Sequence, residues 1–182
     1  MTNWILLLQG INVGGQKRMP MPELQSLLSD LGLQSVRTYI QSGNAVFTNP
    51  GSDRAVLGET IGNAIAEKFG YATPVFLRTA AEMARVAGEN PFLPARSEDP
   101  AFLHVTFLSA PLTPETRAVL AEPAGIPDEM AGGLEEIYLF CPQGYGRTKL
   151  NNAFFERKLD QKVTTRNWNS VMTLLRMAEE LP

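Results

Sequence analysis

A chain of 182 residues with a formal net charge of -3 and a pI near 5.3 is long enough for one medium domain or two small ones with a real core. Hydrophobic residues make up 44% and charged residues 19%, which is too apolar for a disordered chain, and the acidic balance argues against a general nucleic-acid binder. One cysteine, Cys141, excludes an internal disulfide and fits a reducing compartment. With a single histidine, His104, no His/Cys metal cluster can be assembled, so no metal site is expected from those residues, while a carboxylate-based site stays open. No apolar run approaches the ~20 residues that span a bilayer. The stretch Met1–Leu8 lacks the basic region of a signal peptide, so a cytoplasmic protein without membrane contact is expected.

The first element is a strand over Trp4–Leu8, apolar on both faces and therefore central in a sheet. A glycine-rich loop, Gln9 to Gly15, follows it. Pro20 and Pro22 open a helix that carries Leu24, Leu27, Leu28 and Leu31 and closes at Gly32. Ser35–Gln41 alternates as a half-buried strand, and Ser42-Gly43-Asn44 turns it into a second strand, Ala45–Thr48. Asp53 caps a helix through Leu57, Ile61, Ala64, Ile65 and Phe69 to Gly70. A short strand, Pro74–Arg78, leads to Thr79 and Glu82, a capping box for one more helix with Met83 and Val86. The order is the ferredoxin-like βαββαβ arrangement, with the first and third strands central.

Asn90 to Pro100, spaced by prolines, reads as a linker between residues 1–95 and 96–182. The second half opens with a strand over Phe102–Leu108 and a helix capped by Thr113 with Pro114 at its first position. A loop with Pro123, Gly125, Pro127, Gly132 and Gly133 contains a short strand near Glu129–Met130. Glu135–Cys141 is the clearest strand. Thr148 is expected to cap a helix through Leu150, Phe154, Phe155 and Leu159. A weak strand, Lys162–Thr165, precedes the C-terminal amphipathic helix Asn167–Leu181, whose stripe is Trp168, Val171, Met172, Leu175 and Ala178. The fold class is thus α+β, two ferredoxin-like halves with antiparallel sheets, the second closed by a C-terminal helix. The halves share an order of elements and no clear identity.

Four ordered motifs carry a resemblance: Leu8-Gln9-Gly10-Ile11-Asn12-Val13-Gly14-Gly15, Arg37-Thr38-Tyr39-Ile40-Gln41-Ser42-Gly43-Asn44, Tyr145-Gly146-Arg147-Thr148-Lys149-Leu150 and Thr164-Thr165-Arg166-Asn167-Trp168-Asn169. With them the chain resembles the bacterial family called domain of unknown function 1697. That resemblance implies a cytoplasmic bacterial protein with the two-part fold, and no activity. Gln9 departs from the arginine more usual there, which removes a positive charge beside the glycine loop.

The first loop is not a dinucleotide fingerprint, since Gly10, Gly14 and Gly15 give the wrong spacing. Its glycines either allow a ligand to approach the backbone, with Asn12 alongside, or merely satisfy a left-handed turn. Arg37, Tyr39 and Gln41 share a strand face with Asn44 at the hairpin tip, suited to phosphate or carboxylate, or to a packing seam. Gly144 to Lys149 is no Walker loop, yet Arg147 and Lys149 flank an expected helix start, as does Arg166. A cation there opposes the helix dipole by about 0.3–1 kcal/mol, which suggests a nearby anion, either a ligand or a carboxylate of the protein. Asn167 is expected as a helix cap, His104 and Trp168 as structural residues, and Cys141 as an inert buried thiol.

The leading expectation is a small anionic ligand, a nucleotide or phosphate ester, held between the halves by Asn12, Gly14, Gly15, Arg37, Gln41, Asn44, Arg147, Lys149, Arg166 and Asn167. The alternatives are a nucleic-acid module using an open sheet face, which has only Phe47 to offer on its third strand, and a protein-interaction domain without catalysis. No residue is marked as general base or nucleophile, and no cofactor is implied.

Overall fold

The computed structural model describes residues 1–51, 53–93, 99–120 and 127–182. Expectations for Pro94 and the rest of the central linker through 98, and for Pro123 and Gly125, lie outside the described residues. The architecture is mixed α and β, with two four-stranded antiparallel sheets and six α-helices among the described residues.

In the first sheet β1 (Thr2–Leu8) lies between β3 (Asn44–Asn49) and β4 (Val75–Thr79), and β2 (Gln34–Tyr39) pairs outside β3. The central position of Trp4–Leu8 is the one its unbroken apolar run demands. Trp4, Leu6 and Leu8 pack into a core with Leu24, Leu28, Ile61 and Ile65. Ile5 and Leu7, on the opposite face of the same strand, are fully buried as well. The helices are α1 (Met21–Asp30), α2 (Arg54–Phe69) and α3 (Ala80–Gly88).

The second sheet repeats the order. β5 (Leu103–Leu108) lies between β7 (Glu136–Phe140) and β8 (Val163–Asn167), with β6 (Glu129–Gly132) outside β7. Its helices are α4 (Pro114–Leu120), α5 (Asn152–Leu159) and α6 (Trp168–Glu179). Leu108, Ile137, Leu139, Leu150, Phe155 and Val163 form its core. The segment expected as a weak strand is therefore a full edge strand, β8.

Local punctuation explains most boundaries. Asp53 accepts from the N–H groups of Ala55 and Val56, and α2 ends on Gly70 in the left-handed conformation. Thr79 and Glu82 form the reciprocal capping box, the hydroxyl accepting from Glu82 N and the carboxylate from Thr79 N. Two stripe residues depart from expectation: Leu31 follows the last turn of α1 and is exposed, and Met172 is exposed on α6.

The chain divides into two compact units, Met1–Ala84 with Thr173–Pro182, and Arg85–Met172. The division expected at 95/96 follows the order of elements; the compact units divide within α3 and within α6 instead. Named contacts account for this. In the first unit Asn3 Nδ2 donates to Ala178 O, and the Arg37 guanidinium donates to Met177 O. In the second, Arg85 grips Glu136 with two bonds of 2.8 Å, and the Tyr138 hydroxyl donates to Val86 O.

Glu136 is fully buried, and burial alone would raise its pKa. The Arg85 bonds and the N–H groups of Leu134 and Glu135 overcome that and hold it below the ordinary carboxylate value. A folded pKa below the unfolded one gives stability that is complete above the unfolded value, near pH 4–5, and is lost as the pH falls through the folded one. Arg85→Ala should cost about 3–5 kcal/mol in urea denaturation at pH 7, while Arg85→Met with Glu136→Leu should come close to wild type. A near-neutral single variant would show that Glu136 is not a buried charge.

Candidate functional site

Six of the residues expected to bind a ligand belong to the first unit, and each is placed by a local structural bond or turn. Gly14 and Gly15 both have positive φ and are closed by Gln16 N donating to Val13 O, the signature of a type I′ turn. Asn12 spends its whole amide on the loop: Oδ1 accepts from Met19 N, and Nδ2 donates to Met19 O and Gln41 O. Gln41 is exposed in the hairpin turn, its carbonyl taken by Asn12. Asn44 is buried at the start of β3 and donates to Tyr39 O. Arg37 donates to Met177 O and pairs with Glu180, a cation at the C-terminal end of α6, where the helix dipole favours it.

The second unit corrects the expected helix start. Thr148 does not cap α5. Its hydroxyl donates to Asp128 Oδ2 at 2.7 Å and accepts from Leu150 N. The cap is Asn151, whose Oδ1 accepts from Phe154 N at 3.0 Å. Arg147 closes a single 3-10 turn, Tyr145–Arg147, and Lys149 stands two residues before the cap. Both cations therefore precede the helix rather than sit in its first turn, so the dipole penalty used to infer an anion does not apply to them. Both are exposed, and neither makes an ion pair among the described residues.

Arg166 does flank a helix start, standing directly before the Asn167 cap of α6, but its side chain is buried. It is 9% exposed and sits within β8, opposite Val105, with Nη1 donating to Thr164 Oγ1 and Thr165 O. Burial pushes its pKa down to about 10, against a smaller pull from Tyr145. Asn167 behaves as expected, Oδ1 accepting from Ser170 N at 2.8 Å at the start of α6.

Strand register now assembles a group that the sequence did not mark. β5 and β8 place His104 opposite Asn167 and Thr106 opposite Thr165, on the face that also carries Ile137 and Leu139. The hydroxyls of Thr106 and Thr165 are 2.8 Å apart, and Thr165 Oγ1 donates to Asn152 Oδ1 at 2.7 Å. A hydroxyl has one proton, so Thr106 must be the donor to Thr165. With its carbonyl oxygen held by Thr165, Asn152 turns its NH2 away as a two-proton donor on the first residue of α5. Asn167, its Oδ1 engaged by Ser170, likewise keeps its NH2.

The Tyr145 ring stacks on His104, with centroids 4.7 Å apart and planes 23° from parallel. His104 Nδ1 is buried and has no hydrogen-bond partner. Burial lowers the His104 pKa against a weaker opposing effect of the Phe102 carbonyl, so the imidazole is neutral at pH 7. His104, Thr106, Tyr145, Asn152 and Thr165 were not singled out as site residues. The available signals were the His104–Thr106 alternation and a tyrosine set between two glycines. No group of three or more His, Cys, Asp or Glu residues that could hold a metal occurs among the described residues.

The profile of the family described as protein of unknown function (DUF1697) matches residues 1–138, and the chain belongs to that family. The conserved bacterial protein SP0830 from Streptococcus pneumoniae has a similar structure, with a TM-score of 0.75 at 27% identity over 97% of this chain and 98% of that one. No curated protein matches the chain. Two of the four motifs, Tyr145–Leu150 and Thr164–Asn169, lie beyond the span matched by the family profile. No helix among the described residues is long and apolar enough to cross a membrane.

Cys141 is fully buried, and burial pushes its pKa up to about 11. A thiol reagent at pH 7 should label it only as fast as the protein opens, and denaturant should release full reactivity. Arg166→Ala should cost about 2–4 kcal/mol through lost buried packing and two hydrogen bonds, measured by chemical denaturation.

Proposed function

We propose that the protein binds a small anionic ligand, a nucleotide or other phosphate ester, at the segment Tyr145–Asn152 of its second unit. We read each unit as a ferredoxin-like βαββαβ layer, with the site at one end of the helix-covered face of the second. The observation that carries the reading is a one-sided supply of donors. Arg147 and Lys149 are exposed and without ion pairs among the described residues, and Asn152 and Asn167 keep their NH2 groups. No Asp or Glu occurs from Tyr145 to Ala153, and Asp128, which meets the segment through Thr148, is buried and bonded. Such a lining attracts oxyanions and rejects neutral groups that need an acceptor. The chain as a whole is acidic, so the attraction is local rather than a general field.

Nothing favours the nucleic-acid alternative. Phe47 is buried in the helix-side core of its sheet, and Ile5, Leu7 and Val46 on the other face are fully buried too. A single buried thiol also fits residence in a reducing, cytoplasmic compartment.

Thermal shift with inorganic phosphate and adenosine monophosphate tests the reading. Binding at 100 times the dissociation constant should stabilise the wild type by about 2.7 kcal/mol. Arg147→Ala with Lys149→Ala should abolish that gain while leaving the free protein within about 0.5 kcal/mol, because both side chains are exposed. A gain that survives the double substitution would place any anion elsewhere.

A further inference from the structure

At the end of the first sheet where β1 stops, Leu7 faces Asn44 at the start of β3 and Leu8 faces Val75 at the start of β4, so three loops meet there. Bonds tie them into one platform: Asn12 Nδ2 donates to Gln41 O, Lys17 Nζ to Ala72 O, and the Tyr71 hydroxyl to Arg18 O. Two aliphatic side chains stand out of it, Val13 at 68% exposure and Ile40 at 48%. Ile40 does so with φ at 48°, a left-handed conformation in which a β-branched residue is an outlier and Asn or Gly would sit without strain. Such an outlier points to a use for the side chain it presents. The platform is also one-sided in charge. No Asp or Glu occurs from Gln9 to Pro22 or from Leu31 to Ser52. Arg18 is exposed and makes no ion pair among the described residues.

The helix layer of the same unit has the opposite character. Between α1 and α2 opens a groove of about 420 Å³ lined by Leu27, Asp30, Leu31, Ala64, Glu67 and Lys68. Leu27 is buried and Leu31 is 36% exposed, so the floor is apolar. Asp30 and Glu67 are exposed, and neither makes an ion pair among the described residues. Lys68 does not neutralise them: its Nζ is turned to α1, donating to Glu23 O, and lies over the Phe69 ring. One unit thus carries an apolar tip beside an unpaired cation, and an apolar groove beside two unpaired carboxylates. Both stand open in the single chain, as the exposure of Val13, Ile40 and Leu31 shows.

We propose that the chain associates with a second copy of itself head to tail, the Val13–Ile40 platform of one copy seating in the α1–α2 groove of the next. Burial of the aliphatic side chains supplies the attraction, and Arg18 against the carboxylates of Asp30 and Glu67 fixes the register. Because the two surfaces are unlike, each contact leaves a free platform on one copy and a free groove on the other. Association then either closes into a ring or continues by adding copies. The contact belongs to the first unit and is independent of the anion site proposed in the second.

Sedimentation velocity of the full chain, in a concentration series up to about 1 mM, reads the association, because a contact built on one loop tip lies at the small end of interfaces. The average mass should rise with concentration above the 20.0 kDa of one chain. Two variants each remove one surface. Ile40→Asn takes away the tip, and Ala64→Arg fills the groove and adds a cation to it; each should weaken association by about 10-fold or more. Should Ala64→Arg not fold, Glu67→Lys serves instead, at an exposed helix position. Asn adopts the left-handed conformation readily, so Ile40→Asn should fold and should raise the urea midpoint. Mixing the two variants is the decisive step. Ile40→Asn keeps its groove and Ala64→Arg keeps its platform, so the mixture should form a one-to-one dimer that grows no further. A wild type that stays at one chain's mass throughout overturns the proposal, and so does association that survives either substitution. A mixture as monomeric as its components shows that the two surfaces do not meet, and a urea midpoint lowered by Ile40→Asn shows that Ile40 is packed rather than presented; either result overturns it too.

Discussion

In each sheet the first strand of the unit lies between two neighbours, and that constraint dictates the rest. β5 is hydrogen-bonded to β7 and β8 along its length, and every residue from Leu103 to Leu108 is buried. A polar side chain on such a strand has no water to turn to. Thr106, with no exposure, must find a partner on the adjacent strand at the same register, and that partner is Thr165. The chain of bonds then has only one way to run, because each hydroxyl owns one proton. It ends at Asn152, whose NH2 is left as donor. The donor character of the site is thus a consequence of burying two threonines on paired strands, and His104, two residues before Thr106 on the same face, inherits the same isolation without a matching partner.

The two sheets solve the strand-to-helix junction in the same way. β4 ends Leu77-Arg78-Thr79 and runs directly into α3; β8 ends Thr165-Arg166-Asn167 and runs directly into α6. Arg78 pairs with Ile5 and Arg166 with Val105, both on the central strand of their sheet. Each guanidinium donates to the carbonyl of the preceding residue at 2.9 Å, and each arginine is followed by the cap of its helix. Both arginines are buried. The shared junction, Arg followed by Thr or Asn and then a helix, is a repeat too short to be read as identity between halves. It accounts for Arg166 without a ligand: the residue belongs to a structural corner that occurs twice, and only one of the corners lies beside the candidate site.

What the sequence made legible was what is decided within a few residues. The capping box at Thr79 and Glu82, the Asp53 cap, the Gly70 terminus and the Asn167 cap are all short-range bonds, and all were readable in advance. The central place of β1 was readable because a strand buried on both faces carries no alternation. The start of α5 was not. Thr148 and Asn151 are both competent caps, and the choice was made by Asp128, 20 residues away, which claims the Thr148 hydroxyl. The error about Arg147 and Lys149 followed from that one bond. The site escaped for a similar reason: His104 with Tyr145, Thr106 with Thr165, and Thr165 with Asn152 are separated in sequence by 13 to 59 residues and meet only once strand register is fixed. The apparent binding value of Asn12 was lost in the same manner, to carbonyls of Met19 and Gln41.

These assignments also separate two kinds of cation that composition cannot distinguish. Arg37, Arg85 and Arg166 are held in structural bonds: the first at a helix end, the second on a buried carboxylate, the third against the backbone and Thr164. Arg147 and Lys149 make no such bond among the described residues. In a chain of net charge -3 with 19 acidic residues available, two adjacent basic side chains left unpaired are not explained by a shortage of carboxylates. A side chain of either type costs up to about 2 kcal/mol of rotamer freedom to immobilise, so leaving both exposed and mobile costs the folded protein nothing, and their ordering can be deferred until an anion arrives. Unbonded buried side-chain nitrogens occur in both units, at Trp4 and Arg37 in the first and at Asn90 and His104 in the second, so what sets the Tyr145–Asn152 stretch apart is its charge: two exposed cations with no carboxylate between Tyr145 and Ala153.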